Sequence, residues 1–272
     1  FSPPWRQQTL HALIACYVAT AFAMTGIHAV VLLRRPKSTL FRKALAMSLA
    51  VASVAAVMQL VSGHGSAQSI GKLQPAKLAA AEAHFHTEAR APILLGGLPD
   101  VDKREVRGAI PIPGMLSFLA ADDPNAVVKG LDDFPRDEWP PVAIVHLAFD
   151  IMVGLGTFMA LLSAVILFFA WRRRDLVRHR WLLGAVVLAT PMGFACIEAG
   201  WTVTEVGRQP WVIYGILRTR DAVTPMPGLI VPFVSFTLLY VFLGVIVAYL
   251  LYQQVLRSPR DDEAMPAPVP VA

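Results

Sequence analysis

Apolar positions along the chain gather into five long runs, separated by stretches that are charged or rich in proline and glycine. The runs lie at about 10–33, 43–63, 142–171, 181–203 and 227–252. Each is close to the roughly 20 residues that a hydrocarbon core of about 30 Å demands of a helix. The pattern predicts an all-α fold, an integral membrane helical bundle with five transmembrane helices and one long outer loop. The chain then divides into two spans within 1–63, an extracytoplasmic loop at 64–141, three spans within 142–256, and a proline-rich acidic tail at 257–272 expected to be cytoplasmic and disordered.

Charge sets the orientation. The first connection carries Arg34, Arg35, Lys37, Arg42 and Lys43, and the third carries Arg172, Arg173, Arg174, Arg178 and Arg180. Positive residues beside spans stay in the cytoplasm, so alternation places the N-terminus, the loop 64–141 and the loop 204–226 outside. Arg208, Arg218 and Arg220 break this rule in an outer loop, where anionic cofactor groups would account for them.

Composition agrees with the pattern: of 272 residues, 56% are hydrophobic and 16% charged, with mean hydropathy +0.55, against about 25% charged in soluble domains. Net charge is +5, but the cations flank apolar runs, and no basic stripe interleaved with aromatics suggests nucleic acid. Membrane lipid is the expected surround. Cys16 and Cys196 lie inside apolar runs as small buried hydrophobes. The chain opens on Phe1 without a charged leader and cleavage site, and is read as cut from a longer polypeptide.

Several polar side chains stand where bilayer energetics disfavour them. Glu205 ends an apolar run, and an unpaired acid costs about 2.5 kcal/mol or more in hydrocarbon; a metal centre or Arg208, three residues on, would compensate it. Glu198, Trp201 and Glu205 share one helical face, expected to look into the bundle, beyond a kink at Pro191. His11 stands at the outer end of the first span, with His28 an interfacial rival at the inner end. Met152 precedes Gly154 and Gly156, which permit close approach. His146, one turn before Asp150, is placed to pair with it and is a competing ligand.

Within the long loop, residues 73–85 read as a short alanine-rich helix with Pro75 near its start. Lys77 and Glu82 lie about 140° apart on it, so they flank a site or face solvent rather than form a stacked pair. A metal held by His64, His84, His86 and Glu82 is the weaker alternative.

The run Gly200-Trp201-Thr202-Val203-Thr204-Glu205-Val206-Gly207-Arg208-Gln209-Pro210-Trp211, with Tyr214-Gly215-Ile216-Leu217-Arg218-Thr219 after it, resembles subunit I of the cytochrome bd-type quinol oxidases. Met152-Val153-Gly154-Leu155-Gly156 and the Lys77-Leu78-Ala79-Ala80-Ala81-Glu82 pattern are similar to segments of the same family. The segments 111–119 and 130–135 resemble its branch with a short quinol loop, often described as cyanide-insensitive.

The resemblance implies roles residue by residue. His11 and Met152 become the axial iron ligands of a low-spin heme b, and Glu205 the iron ligand of a high-spin heme b. Trp201 lies between the low-spin heme and the oxygen-reducing pair, which includes heme d. Arg208, Gln209 and Trp211 hold heme propionates, while Lys77 and Glu82 bind and oxidise quinol. Many members carry arginine where this chain has Asp150, and Glu198 inherits no role.

The match covers the C-terminal five of nine expected helices. The missing four carry the heme d ligand, so the fragment alone is expected to be inactive. The implied parent is a quinol:oxygen oxidoreductase of the bacterial inner membrane. It works with ubiquinol or another quinol, O2 and subunit II, with or without a small third subunit, and its quinol loop is periplasmic. Two other classes stay open on sequence grounds: a membrane b-type cytochrome that only carries electrons, and a transporter subunit relaying protons through Glu198 and Glu205.

Overall fold

The structure is a computed structural model and describes residues 4–172 and 175–256. Arg173, Arg174 and the tail expected at 257–272 lie outside the described residues. Five helical segments are long and apolar enough to cross a membrane: Trp5–Arg34, Thr39–Leu73, Val142–Trp171, Arg180–Glu205 and Ile230–Gln254.

Helix α1 (Trp5–Arg34) packs along α2 (Thr39–Leu73), and Phe22, Leu32 and Ala52 are fully enclosed in the core that they share with the later helices. At 35 residues, α2 rises about 52 Å at 1.5 Å per residue, far more than a bilayer requires. The second span therefore runs ten residues past the expected end at 63, and the first part of the long loop is helix. Its extension is held from two sides. Gln7 on α1 donates to Ser62 O at 2.6 Å, and Asp122 takes Gln68 Nε2 at 2.6 Å and His64 Nε2 at 2.7 Å. Pro75 ends it, because a residue before proline is driven from helical geometry; Gln74 sits at φ −144°, ψ 65°.

Pro75 also opens α3 (Pro75–Ala81), shorter than the helix expected over 73–85. Glu82 caps it and Ala83 adopts a left-handed φ of 47°, so the chain turns at the glutamate. Three short antiparallel pairs come next, nested one inside another: β1 (Glu88–Ala89) with β6 (Val127–Val128), β2 (Ile93–Leu95) with β5 (Ile110–Ile112), and β3 (Leu98–Asp100) with β4 (Glu105–Arg107). Helix α4 (Met115–Ala121) sits between β5 and β6. Buried Ser117 fastens it, accepting from Ala91 N at 2.9 Å and donating to Ala126 O at 2.7 Å.

Helix α5 (Val142–Trp171) is the third span. The fourth is broken where Pro191 predicts a kink, giving α6 (Arg180–Ala189) and α7 (Met192–Glu205). The break lies against α1: a side chain at Gly26 would overlap Thr190, and one at Gly193 would come within 2.5 Å of the Ala19 backbone. After α7, β7 (Trp211–Ile213) pairs with β8 (Leu217–Arg218), and α8 (Ile230–Leu251) forms the last span with none of its residues buried.

The two basic connections meet at one end. Arg42 Nη1 reaches both oxygens of Asp175, at 3.1 and 2.9 Å, and Arg180 Nη1 donates to Leu33 O at 3.2 Å. The long loop occupies the other end, here termed the loop end.

Candidate functional site at the loop end

Helix α3 is not a solvated surface helix. Every residue from Ala76 to Ala81 is buried, and Ala79, Ala80 and Ala81 join Val145 and Ala148 of α5 and Val203 of α7 in one apolar cluster. The loop helix is thereby clamped onto two membrane helices. Lys77 is only 5% exposed, and its Nζ donates to Thr204 O at 3.1 Å. That carbonyl belongs to the last turn of α7, where carbonyls lack helical partners and a cation is favoured. Burial, aided by the Arg208 charge and opposed by Glu205, draws the Lys77 ammonium down to about 8.

Glu82 faces the other way. It is 2% exposed, and burial, followed by repulsion from Asp150, pushes its carboxyl up to about 8. Lys77 and Glu82 each interact with a different membrane helix and do not pair with one another, as their spacing anticipates. On α5, His146 is fully enclosed; its Nδ1 lies 2.9 Å from Ala81 O and its Nε2 3.4 Å from Asp150 Oδ2. His146 and Asp150, read from the sequence as a pair, are adjacent, but the two facing atoms make no hydrogen bond, and Nδ1 is committed to α3.

His11 sits two turns into α1 and turns toward α2. Ser62 Oγ lies 3.1 Å from its Nδ1, and Gln59 Nε2 lies 3.0 Å from its Nε2. With an amide donor on Nε2, the ring proton belongs on Nδ1 and is donated to Ser62, and the Nε2 lone pair accepts from Gln59. Met152, on α5, points instead to α7: a Cβ at Gly200 would lie 3.1 Å from its Sδ, and Cys196 Sγ donates to its carbonyl at 3.5 Å. The two side chains thus sit against different neighbours.

Glu198, Trp201 and Glu205 were expected to look into the bundle, and the helices of this chain do not cover them. They do share a face, but that face is open: Trp201 is 70% exposed and the Glu205 side chain 55%. Small residues decide the matter, since Gly193, Ala199 and Val203 let α7 pack on its opposite side. Arg208 Nη2 donates to Glu205 Oε1 at 2.9 Å, Thr219 Oγ1 donates to Gln209 Oε1 at 2.7 Å, and Trp211 Nε1 is buried without a partner.

Arg218 departs from the reading that the outer arginines await cofactor anions, because it binds Asp137 at 2.8 Å and Glu138 at 3.5 Å. The histidine metal set is dispersed as well. His64 pairs with Asp122, His86 with Asp132, and His84 is buried apart; among the described residues no group of three metal-ligating side chains converges.

The family described as cytochrome bd terminal oxidase subunit I matches residues 1–259. The chain belongs to it. Among relatives, a Bacillus subtilis (strain 168) protein with the provisional name cytochrome bd menaquinol oxidase subunit I is 38% identical over 97% of this chain and 60% of its own length. Cytochrome bd ubiquinol oxidase subunit 1 of the same strain is 27% identical over 95% of this chain and 58% of its own. The solved structure of bd oxidase from Geobacillus thermodenitrificans aligns with TM-score 0.85 and 36% identity, covering 95% of this chain and 60% of that one. The chain therefore spans about 60% of the length of the relatives it matches.

Family membership implies heme, and the donor chemistry here fits it. The His11 Nε2 lone pair is held by the side-chain amide of Gln59, which an iron would displace, the Met152 thioether lies against Gly200, and positions 154 and 156 on α5 open onto free space. The unpartnered Trp211 donor calls for an acceptor such as a carboxylate. Residues that the sequence alone did not single out complete the surroundings: Gln59 and Ser62 behind His11, and Cys196 beside Met152. Gln59 and Ser62 were signalled, as polar residues three apart in or at the edge of an apolar run.

Proposed function

We propose that this chain is the part of a bd-type quinol oxidase subunit I that carries the quinol site and the ligands of two hemes. The observation that carries the reading is the seating of α3: a wholly buried carboxylate and a buried ammonium, both poised near pH 8, docked on the helices that bear Met152 and Glu205. Isolated surface charges need no such enclosure.

Quinol oxidation releases two protons and two electrons. Glu82, once ionised, accepts a proton from the quinol hydroxyl, and burial makes it a far stronger base than an ordinary carboxylate. Lys77, held cationic by a helix C-terminus, steadies the phenolate that forms. Packing of α3 against α5 and α7 keeps water from both groups. His11 and Met152 hold the low-spin heme b, a ligand pair that raises its potential. Glu205 holds the high-spin heme b, with Arg208, Gln209 and Trp211 toward propionates and Trp201 beside them. When bound, these hemes and heme d carry the electrons to O2 and reduce it to water. The whole enzyme includes the remainder of subunit I and subunit II, lies in the bacterial inner membrane, and presents the loop end to the periplasm. The quinol is a ubiquinol or menaquinol, as in the names of the relatives.

A plain electron-carrying cytochrome would leave buried Lys77 and Glu82 without a task. The test is Glu82→Gln in the full-length subunit within the assembled oxidase. Quinol oxidation should fall about 100-fold or more, the low end of the span for a lost general base, with heme spectra unchanged. Full turnover overturns the assignment.

A further inference from the structure

The cluster around Glu82 contains a residue that neither the quinol nor the heme roles employ. His146 is fully enclosed at the crossing of α3 and α5. Its Nδ1 lies 2.9 Å from the carbonyl of Ala81, the last residue of α3 and the one preceding Glu82. A carbonyl at a helix C-terminus has no intrahelical donor, so the imidazole N–H satisfies a group that would otherwise be buried and orphaned. No ordinary packing need calls for an imidazole here, since Val142, Val145 and Ala148 beside it are apolar.

This bond is made at the point where the helix gives out. Directly after Ala81 the chain leaves helical geometry, Glu82 at φ −90° and ψ 0° and Ala83 at φ 47°. Backbone bonds close the turn, Glu82 N to Leu78 O at 3.0 Å, Ala83 N to Ala80 O at 3.3 Å and His84 N to Ala79 O at 2.8 Å, but they leave Ala81 O for His146 and tie nothing to α5. Glu82 Oε1 is itself buried without a hydrogen-bond partner, as are His146 Nε2 and Asp150 Oδ2. Oε1 is therefore kept from water by the seating of the Glu82 backbone and not by a bond of its own.

We propose that His146 is the positioning residue for Glu82: by donating from Nδ1 to Ala81 O, it fixes the end of the quinol-loop helix on α5 and holds the carboxyl in a dry seat. The proposal deepens the quinol-site reading and rests on it. Charged and titratable groups around Glu82 are Asp150 and His146 on α5, Lys77 on its own helix with Arg208 and Glu205 beyond, and His84 two residues on. Asp132 and Asp133 stand on the turn that packs against α3, Asp132 already engaged by His86 and Arg104. Of these, Asp150 and His146 contact or repel the Glu82 turn from α5, and only His146 can donate to it.

Two amide replacements separate the nitrogens. In His146→Asn the amide occupies the place of Nδ1 and keeps the bond to Ala81 O; in His146→Gln it occupies the place of Nε2, facing Asp150, and that bond is lost. The orphaned carbonyl of the Gln variant then recruits water, which returns Glu82 toward ordinary carboxylate behaviour. In the assembled full-length oxidase, the acid limb of the pH profile for quinol oxidation should move down by about one unit in the Gln variant, with quinol KM raised and the low-spin heme band unchanged. The Asn variant should keep the wild-type limb.

A merely structural role would lower the yield of assembled enzyme in both without moving the limb. Identical profiles for the two variants overturn the proposal. Should the Gln variant fail to assemble, the Asn variant decides: a displaced limb overturns the assignment and a retained one supports it. Glu82→Gln run in parallel separates the two levels. If it turns over fully, the quinol-site reading fails; if it is impaired while His146→Gln keeps the wild-type limb, only the role of His146 fails.

Discussion

Glu82 and Glu205 are both glutamates at the loop end of the bundle, and their surroundings are opposite. Glu82 is 2% exposed and enclosed by α3 and α5, whereas the Glu205 side chain is 55% exposed on the open face of α7. The first site is finished by this chain alone: the loop helix, two membrane helices and a turn shut it from water. The second offers a carboxylate, an arginine and an indole to a neighbour that must come from elsewhere, whether a cofactor, the rest of the subunit or lipid. In the roles proposed above, a proton-accepting carboxylate needs enclosure to raise its basicity and an iron ligand needs an open approach, and the contrast is the one those roles call for.

Substitutions at the two acids sharpen this contrast. The largest effect is expected at Glu205. Glu205→Ala should remove the high-spin heme b signature and abolish oxygen consumption, measured on the assembled oxidase by difference spectra and an oxygen electrode; retention of three hemes would break the comparison. Next comes Met152→Leu, which removes the thioether and should convert the low-spin heme to high spin or empty its site. An unchanged low-spin band would refute Met152 as ligand.

The enclosed site should also announce itself through pH. Glu82 must be ionised to accept a proton, so its contribution grows as pH rises through about 8, while Lys77 must stay protonated, so its contribution wanes as pH rises through about 8. The product is a bell with its maximum near pH 8, each limb falling about tenfold per unit beyond. Lys77→Arg keeps the charge at all working pH values and should flatten the alkaline limb alone. The smallest effect is expected at Ser62→Ala, which frees His11 Nδ1; loss of such an outer partner weakens metal retention about tenfold, measurable as heme loss on dilution in detergent.

Much of this was legible in the linear chain. Five apolar runs gave five spans, Pro191 gave the break between α6 and α7, and the two arginine-rich connections gave ends that meet through Arg42 and Asp175. These features are local, fixed by the length of hydrocarbon to be crossed and by the missing N–H of proline. The family was legible too, in the run from Gly200 to Trp211. The length of α2 was not, because its last ten residues are too polar to read as a span and are helical through contacts with Gln7 and Asp122.

What the sequence by itself determined is which side chains can do chemistry: imidazole, thioether, carboxylates and ammonium, spaced so that Lys77 and Glu82 diverge on α3. What only the tertiary structure decided is where each of them points. Glu198, Trp201 and Glu205 share a face by periodicity, but periodicity cannot say what covers that face; the packing of Gly193, Ala199 and Val203 turned it away from the other helices of this chain. Likewise no spacing rule relates His146 to Ala81, 65 residues away. Helical periodicity fixes angles around one axis, while burial depends on how separate axes meet, and that is settled by the shapes of side chains distant in sequence.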